Sequence, residues 1–249
     1  MTGMIDWLDD SNLDFPPSAQ ALGADSDAPG LLAAGGDLSP QRLLAAYSRG
    51  IFPWYGADQP PLWWAPDPRM VLQTKNFKLA RSLRKTLAHF RRSASCEIRV
   101  DSALPEVLSA CAGSAREGQA GTWILPEMQA AYLEWARQSG AVHSIETWMD
   151  GELVGGLYGV NIGRMFFGES MFMRRSDASK IALAALVCLC RKHGISWIDC
   201  QQNTGHLASL GAAEVARGAF EAHVREAVAE PGPGSWTYHP ALWALLDQD

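Results

Sequence analysis

The stretch His143–Phe167, HSIETWMDGELVGGLYGVNIGRMFF, reads as three strand-like segments, His143–Trp148, Leu153–Val160 and Arg164–Phe167. Asp150-Gly151 and Asn161-Ile162-Gly163 separate them. Both are hairpin-type signals, because Asp, Asn and Gly tolerate the positive backbone angles of tight turns between twisted strands. Downstream, Ser179–His193 sets Ile181, Leu183, Ala184, Leu186, Val187 and Leu189 on a helical repeat that Gly194 ends, and Ile195–Cys200 follows as a short buried strand. Upstream, Pro126–Gln138 is a helix with proline in its first turn and Gly140 past its end; Leu104–Cys111 is a second helix and Leu79–Phe90 a third, basic one. This order of elements predicts an α+β layer structure, a mixed sheet flanked by helices.

The chain before residue 70 has a different character. Asp9–Gly30 is rich in Asp, Ser, Pro and Gly and reads as surface loop. Ser39 and Pro40 supply the cap and first-turn proline of a short helix carrying Leu43, Leu44 and Tyr47, with Gly50 beyond its end. Ile51–Arg69 holds too many prolines for a helix or a central strand and reads as an ordered, aromatic-rich loop. The expected division is a small N-terminal domain, residues 1–70, and a larger one, residues 71–249, closed by an extension punctuated at Pro231–Gly234.

With 249 residues, 47% hydrophobic and 19% charged, the chain can bury a sizeable core, which excludes a disordered or fibrous protein. Its net charge of −6 argues, taken whole, against a nucleic-acid partner. The distribution says otherwise: Lys75, Lys78, Arg81, Arg84, Lys85, Arg91, Arg92 and Arg99 crowd a segment whose one acid is Glu97. Lys78, Arg81, Lys85 and Arg92 fall on one helical face, a stripe suited either to a phosphate backbone or simply to solvent. The five cysteines lack a pairing pattern, which suits a reducing compartment, and the six histidines lack metal-ligand spacing, so no metal is expected. The acidic N-terminus lacks a secretory pattern and the best apolar run, Ile181–Cys190, is about half a membrane span; a soluble, cytoplasmic protein is expected.

Several segments carry chemistry-bearing residues in unusual settings. Trp63-Trp64-Ala65-Pro66-Asp67-Pro68-Arg69, close after Phe52-Pro53-Trp54-Tyr55, suits a stacking wall for a base or an aromatic plug between domains. Glu169, inside Phe166-Phe167-Gly168-Glu169-Ser170-Met171-Phe172, is costly to bury and must either join a polar network or receive a cation. Asp199 and Gln201 alternate around Cys200 at a strand end, as a structural polar pair or as groups that orient an attacking amine. Cys200 itself reads as a buried hydrophobe. The junction Arg174–Lys180, with Ser179 as helix cap, has no glycine to let backbone amides approach the pyrophosphate of coenzyme A.

These segments together resemble one family, the leucyl/phenylalanyl-tRNA–protein transferases. The likeness is carried by Gly35-Gly36-Asp37-Leu38-Ser39-Pro40, Arg49-Gly50-Ile51-Phe52-Pro53-Trp54, the Trp63–Arg69 segment, Gly121-Thr122-Trp123-Ile124, His143-Ser144-Ile145-Glu146, Phe167-Gly168-Glu169-Ser170-Met171-Phe172 and Ile198-Asp199-Cys200-Gln201, in order along most of the chain. Ala65 and Met173 stand where the family commonly has Ser.

The resemblance implies an N-acetyltransferase-like C-terminal domain and an enzyme that needs no cofactor. Such an enzyme moves Leu or Phe, and less readily Met, from aminoacyl-tRNA to proteins with N-terminal Arg or Lys, marking them for N-end rule degradation. It implies Asp199 and Gln201 as the catalytic pair, Glu169 as the acceptor-binding acid, and Trp54, Trp123 and Tyr47 at the tRNA 3′ end. It further implies Leu157, Phe166, Leu183 and Ile198 as the amino-acid side-chain pocket. Arg81, Arg84 and Lys85 are the expected tRNA phosphate contacts, and a monomer is expected. The rival readings are an adaptor that binds basic N-termini without catalysis and a coenzyme A-dependent N-acetyltransferase.

Overall fold

A computed structural model describes residues 5–114 and 122–247. The N-terminal part builds a four-stranded sheet from β1 (Asp6–Leu8), β2 (Leu31–Gly35), β3 (Phe52–Pro53) and β4 (Leu62–Trp64) in the order β1-β2-β4-β3, with helix α1 (Pro40–Tyr47) crossing between β2 and β3. The Ser39 hydroxyl caps α1 by accepting from the Arg42 amide at 3.3 Å, and Gly50 turns the chain at φ 75°. The expectation of an unbroken loop over Ile51–Arg69 is corrected here. Prolines forbid long strands, yet runs of two and three residues still pair, and Phe52 and Pro53 lie across from Trp64 and Trp63.

The larger sheet begins immediately after the Pro-rich stretch. Its strands are β5 (Arg69–Gln73), β6 (Cys96–Val100), β7 (Val142–Met149), β8 (Glu152–Ile162), β9 (Met165–Met173), β10 (Trp197–Gln201) and β11 (Ala213–Val215), ordered β11-β5-β10-β9-β8-β7-β6. Neighbours run antiparallel except β9 and β10, so the sheet is mixed. The helices are α2 (Arg81–Arg92), α3 (Leu104–Ala112), α4 (Pro126–Ser139), α5 (Ala178–Lys192), α6 (Gly205–Ser209) and α7 (Arg217–Ala229). The hairpin β7–β8 turns at Asp150-Gly151 with φ 56° and 79°, as the sequence predicts.

The two faces of this sheet bury different cores. Tyr132, Tyr158, Phe167 and Phe172 lie on the side of α3, α4 and the N-terminal sheet, whereas Ile145, Leu157, Phe166 and Ile198 lie on the side of α2 and α5. Helix α5 is buried from Ala178 to Cys190 except at Lys180, because the C-terminal segment covers its outer side. It sits close on the sheet only because β8 has glycine at 155, where a Cβ would come within 2.5 Å of the Ala178 Cβ. Among the described residues no helix is long and apolar enough to cross a membrane.

Two further expectations are corrected. Ser179 does not cap α5: it is buried inside the first turn, the cap position is Asp177 at φ 62°, and Lys180 pairs with Asp177 at 2.7 Å. Lys78 is not part of the basic helix. Its backbone amide donates to the Leu210 carbonyl in the connection before α2, so the stripe starts at Arg81.

Candidate active site

The site forms where β9 and β10 part. The two strands pair only at Phe166↔Ile198 and Phe167↔Asp199, and each then bulges. In β9, Gly168 faces Gly159 and Ser170 faces Tyr158, leaving Glu169 as the extra residue; in β10, Asp199 faces Val71 and Gln201 faces Met70, leaving Cys200 as the extra one. A bulge re-aims side chains that strict alternation would separate. The strand expected over Arg164–Phe167 instead runs six residues further, through this bulge, to Met173.

The two bulges bring three chemistry-bearing side chains together. The Glu169 carboxylate accepts from the Tyr47 hydroxyl at 2.6 Å, from the Gln201 amide at 2.8 Å and from the Tyr132 hydroxyl at 3.0 Å, while the two hydroxyls lie 2.5 Å apart. Tyr132 has one proton for two acceptors, so the group is a small shared network and not three fixed bonds. Asp199 is fully buried and meets Arg69 through both oxygens, at 2.8 Å from Nε and 2.6 Å from Nη2; it also accepts the Gln201 backbone amide at 2.9 Å. The Arg69 guanidinium is itself clamped between the rings of Phe52 and Phe220, each 4.6 Å away.

Burial and its neighbours shift the Glu169 carboxyl. Burial pushes the Glu169 carboxyl up to about 7; the Tyr47 and Tyr132 hydroxyls pull it down, the Asp199 charge pushes it up and Arg69 opposes that. Tyr47 and Tyr132 are driven well above their ordinary range, first by burial and then by the Glu169 charge, so both remain hydrogen-bond donors. Burial likewise raises the Cys200 thiol to about 12, leaving no thiolate nucleophile at neutral pH.

The structure sorts the other candidates. Leu157, Phe166, Leu183 and Ile198 meet in one buried cluster between the sheet and α5, on the face opposite the Glu169 network. Trp54 and Trp123 are half-buried against the other core, and Trp54 meets Trp64 edge to face at 5.3 Å. Gly121, from the segment carrying Trp123, lies outside the described residues. Tyr47, expected with Trp54 and Trp123 at the tRNA 3′ end, is fully buried and hydrogen-bonds to Glu169. Arg81, Arg84 and Lys85 are exposed on α2. A cleft of about 700 Å³ opens along Met171–Arg174 at the end of β9, between the C-terminal end of α3, Ser179 of α5 and His206 of α6.

Sequence reasoning did not single out Arg69 or Tyr132. Arg69 reads as the end of a proline-rich loop, and Tyr132 lies on the apolar stripe of α4 with Met128 and Trp135, where an aromatic residue looks like core. Among the described residues no group of three metal-ligating side chains converges.

Comparison with known proteins accounts for most of the chain. The family model for the leucyl/phenylalanyl-tRNA protein transferase matches residues 71–225, and that for its N-terminal domain matches residues 36–67. Proteins of that name from Methylibium petroleiphilum and Leptothrix cholodnii are each 60% identical to it. The first alignment covers 99% of this chain and 92% of the relative, the second 98% and 95%. Solved structures overlap only loosely. A conserved protein of unknown function from Bacteroides thetaiotaomicron has a TM-score of 0.41 at 14% identity, covering 58% of this chain and 55% of that one. A GCN5-related N-acetyltransferase from Kribbella flavida has 0.34 at 14% identity, covering 70% and 60%. Neither overlap carries an argument about this chain. The sequence matches do: they span both sheets and every residue of the Glu169–Asp199–Gln201 cluster, and the chain belongs to the leucyl/phenylalanyl-tRNA–protein transferase family.

Proposed function

We propose that the protein transfers Leu or Phe, and less readily Met, from aminoacyl-tRNA to the α-amine of proteins that begin with Arg or Lys. The observation that carries this reading is Glu169. It is a buried carboxylate whose three hydrogen-bonding partners, Tyr47, Tyr132 and Gln201, are all neutral donors, placed where two strands part. Such a group favours a cation brought by the substrate, and an N-terminal Arg or Lys supplies one.

The reaction is aminolysis of an ester. The α-amine nitrogen bonds to the carbonyl carbon, the bond from that carbon to the ribose 3′ oxygen breaks, and a proton passes from the amine to the departing oxygen. An activated ester is already reactive toward amines, so the protein contributes chiefly by aligning two substrates. Gln201 donates one of its two amide hydrogens to Glu169 and keeps its carbonyl oxygen to accept an N–H of the incoming amine. Asp199, held through both oxygens by Arg69, contributes negative charge that helps orient that amine. The Leu157–Phe166–Leu183–Ile198 cluster, on the opposite face of the sheet, suits a side chain unbranched at Cβ, such as Leu, Phe or Met; a β-branched one loses about 1–3 kcal/mol. Trp54 and Trp123 offer ring faces for the 3′-terminal adenosine, and Arg81, Arg84 and Lys85 offer phosphate contacts that do not read sequence. The enzyme acts as a cytoplasmic monomer whose two domains divide near residue 70.

The test mixes purified protein, Leu-tRNA carrying labelled Leu, and a peptide beginning with Arg. Labelled peptide is the expected product, and absence of transfer overturns the reading. Binding of both substrates without transfer would instead support an adaptor, and acetylation of the peptide with acetyl-coenzyme A would support the acetyltransferase.

A further inference from the structure

The Arg69–Asp199 pair is almost completely buried, with side-chain exposures of 1% and 0%. Pairs enclosed to this degree contribute little net stability, because desolvation offsets attraction, and apolar residues of the same volume commonly do as well. What such a pair supplies is a single geometry. Arg69 occupies the first position of β5, its guanidinium lies between Phe52 of the N-terminal sheet and Phe220 of α7, and its two donors take both oxygens of Asp199. The same Asp199 oxygen that meets Arg69 Nε also accepts the backbone amide of Gln201. That amide belongs to a residue at φ 62°, a left-handed conformation that a side chain such as glutamine adopts only when neighbours impose it. Held so, Gln201 points its amide at Glu169.

We propose that Arg69 is a positioning residue. Clamped by one ring from each of two separate elements, it fixes the Asp199 carboxylate, and through it the turn at Gln201 that completes the Glu169 network. Arg69 touches no substrate and acts two residues away from it. Packing between the N-terminal sheet and α7 thereby sets the geometry of the Gln201 amide. In its kinetic consequence this inference rests on the transfer reading given above; in its wiring it does not.

The wiring has a signature that a merely structural residue lacks. The groups facing Glu169 are Tyr47 from α1, Tyr132 from α4 with Tyr158 of β8 beyond it, Asp199 and Gln201 from β10, and Arg69 from β5. Arg69 and Asp199 oppose each other in their effect on Glu169. Removing the cation alone leaves the Asp199 charge uncompensated and must shift the Glu169 titration to higher pH. Removing both charges must bring it back.

The experiment prepares wild type, Arg69→Lys, Arg69→Gln and the paired Arg69→Gln/Asp199→Asn, the last retaining near-native volume without a buried unpaired charge. Thermal melting first establishes the folded fraction of each. Glu169 is then titrated by carbon-13 NMR of protein labelled at the glutamate side-chain carboxyl, assigned with Glu169→Gln, and transfer of Leu to an Arg-initiated peptide is measured per folded molecule. The expected result is an upward shift of the Glu169 midpoint in Arg69→Gln and its return in the paired variant. With it, kcat should fall by about 100-fold in both, as misplacement of a reacting group by about 1 Å typically costs, while Arg69→Lys recovers part of the loss. A Glu169 midpoint that does not move in folded Arg69→Gln overturns the wiring whether or not any transfer is seen. Should the midpoint move while kcat stays within about twofold of wild type, the positioning role is overturned. If even wild type transfers nothing, the transfer reading falls and the titration still decides whether Arg69 is wired to Glu169.

Discussion

Glu146 on β7 and Glu169 on β9 are both buried glutamates, both beside tryptophan or tyrosine, and neither forms a salt bridge among the described residues, yet the structure uses them differently. The Glu146 carboxylate is fully enclosed and accepts from the Ser102 hydroxyl, the Ala103 backbone amide at 2.8 Å, the Ser144 hydroxyl at 2.7 Å and the Trp148 indole at 2.9 Å. The Ala103 amide is at the cap position of α3, so Glu146 pins the start of that helix to the sheet. Its donors saturate both oxygens, and Glu146 is itself paired on both sides, with Arg99 and Gly156, the β7–β8 register slipping only beyond Thr147. Glu169, at 9% exposure, sits on a bulge beside the gap between β9 and β10 and has fewer, shared donors. Burial of a carboxylate is therefore not the mark of a site. An acceptor left partly unsatisfied at a break in the ladder is.

The largest effect should come from Glu169→Ala. Losing the buried partner of a cationic substrate typically costs 2–5 kcal/mol, so kcat/KM toward an Arg-initiated peptide should fall by about 100-fold or more, while aminoacyl-tRNA affinity changes by less than about threefold. Steady-state kinetics with each substrate varied in turn measures both. Equal losses on the two sides would remove Glu169 from acceptor recognition and collapse its distinction from Glu146.

Glu146→Ala should show the opposite pattern. Four donors lose their acceptor, at a cost of about 3 kcal/mol in unfolding free energy, with activity per folded molecule close to wild type. Urea unfolding followed by tryptophan fluorescence reads the first and active-fraction-corrected kinetics the second.

The contrast also shows what the sequence could and could not say. Helices α4 and α5 are legible to within a residue or so because their signals are local: Pro126 and Gly140 bracket the first, and an apolar repeat ended at Gly194 marks the second. The β7–β8 hairpin is legible from Asp150-Gly151 for the same reason. The site is legible only as separate residue types. Glu169 stands out as an acid among aromatics, but its partners Tyr47 and Tyr132 lie 122 and 37 positions away, and Arg69 lies 130 positions from Asp199. No period or spacing in one sequence encodes such pairings. The bulges at Glu169 and Cys200 are equally hidden, because an extra residue in a ladder exists only relative to the neighbouring strand. The short strands β3 and β4 fall among prolines and β1 within an acidic stretch, and none offers a run long enough to alternate.

A pH series sharpens the comparison further. The Glu169 carboxyl, ordinarily near 4.5, titrates at about 7 in the folded protein, so folding retains a proton that the unfolded chain has already released. Stability from this group is complete below about pH 4.5 and is lost as pH rises through about 7. Acceptor binding runs the other way, since it needs the ionised form: KM for an Arg-initiated peptide should drop by about tenfold per unit as pH rises toward 7, and level off above it. Glu169→Gln should abolish this limb and Glu146→Gln should leave it in place. A wild-type KM that is flat between pH 5.5 and 7.5, values of the order set by that titration, would separate acceptor binding from Glu169.

The same distinction between satisfied and open charge applies to the cations, with a smaller expected effect. Arg91 lies over the Trp243 ring at 5.0 Å and donates to its carbonyl at 3.3 Å, and Arg191 donates to the carbonyls of Thr74 and Leu245, so both fasten the C-terminal segment. Arg81, Arg84 and Lys85 stay exposed on α2, and among the described residues their one side-chain hydrogen bond is a 3.2 Å contact from Arg84 to the Leu79 carbonyl. Replacing these three by Glu should weaken tRNA binding by about tenfold near 0.1 M salt and make the slope of log affinity against log salt shallower by about 2–3, one phosphate contact per residue. Arg91→Ala should lower the melting temperature and leave that slope unchanged. Filter binding across a salt series distinguishes the two. A slope that stays steep in the triple variant would move the tRNA path off α2, and the chain's net charge of −6 would then have to be reconciled with some other cationic surface.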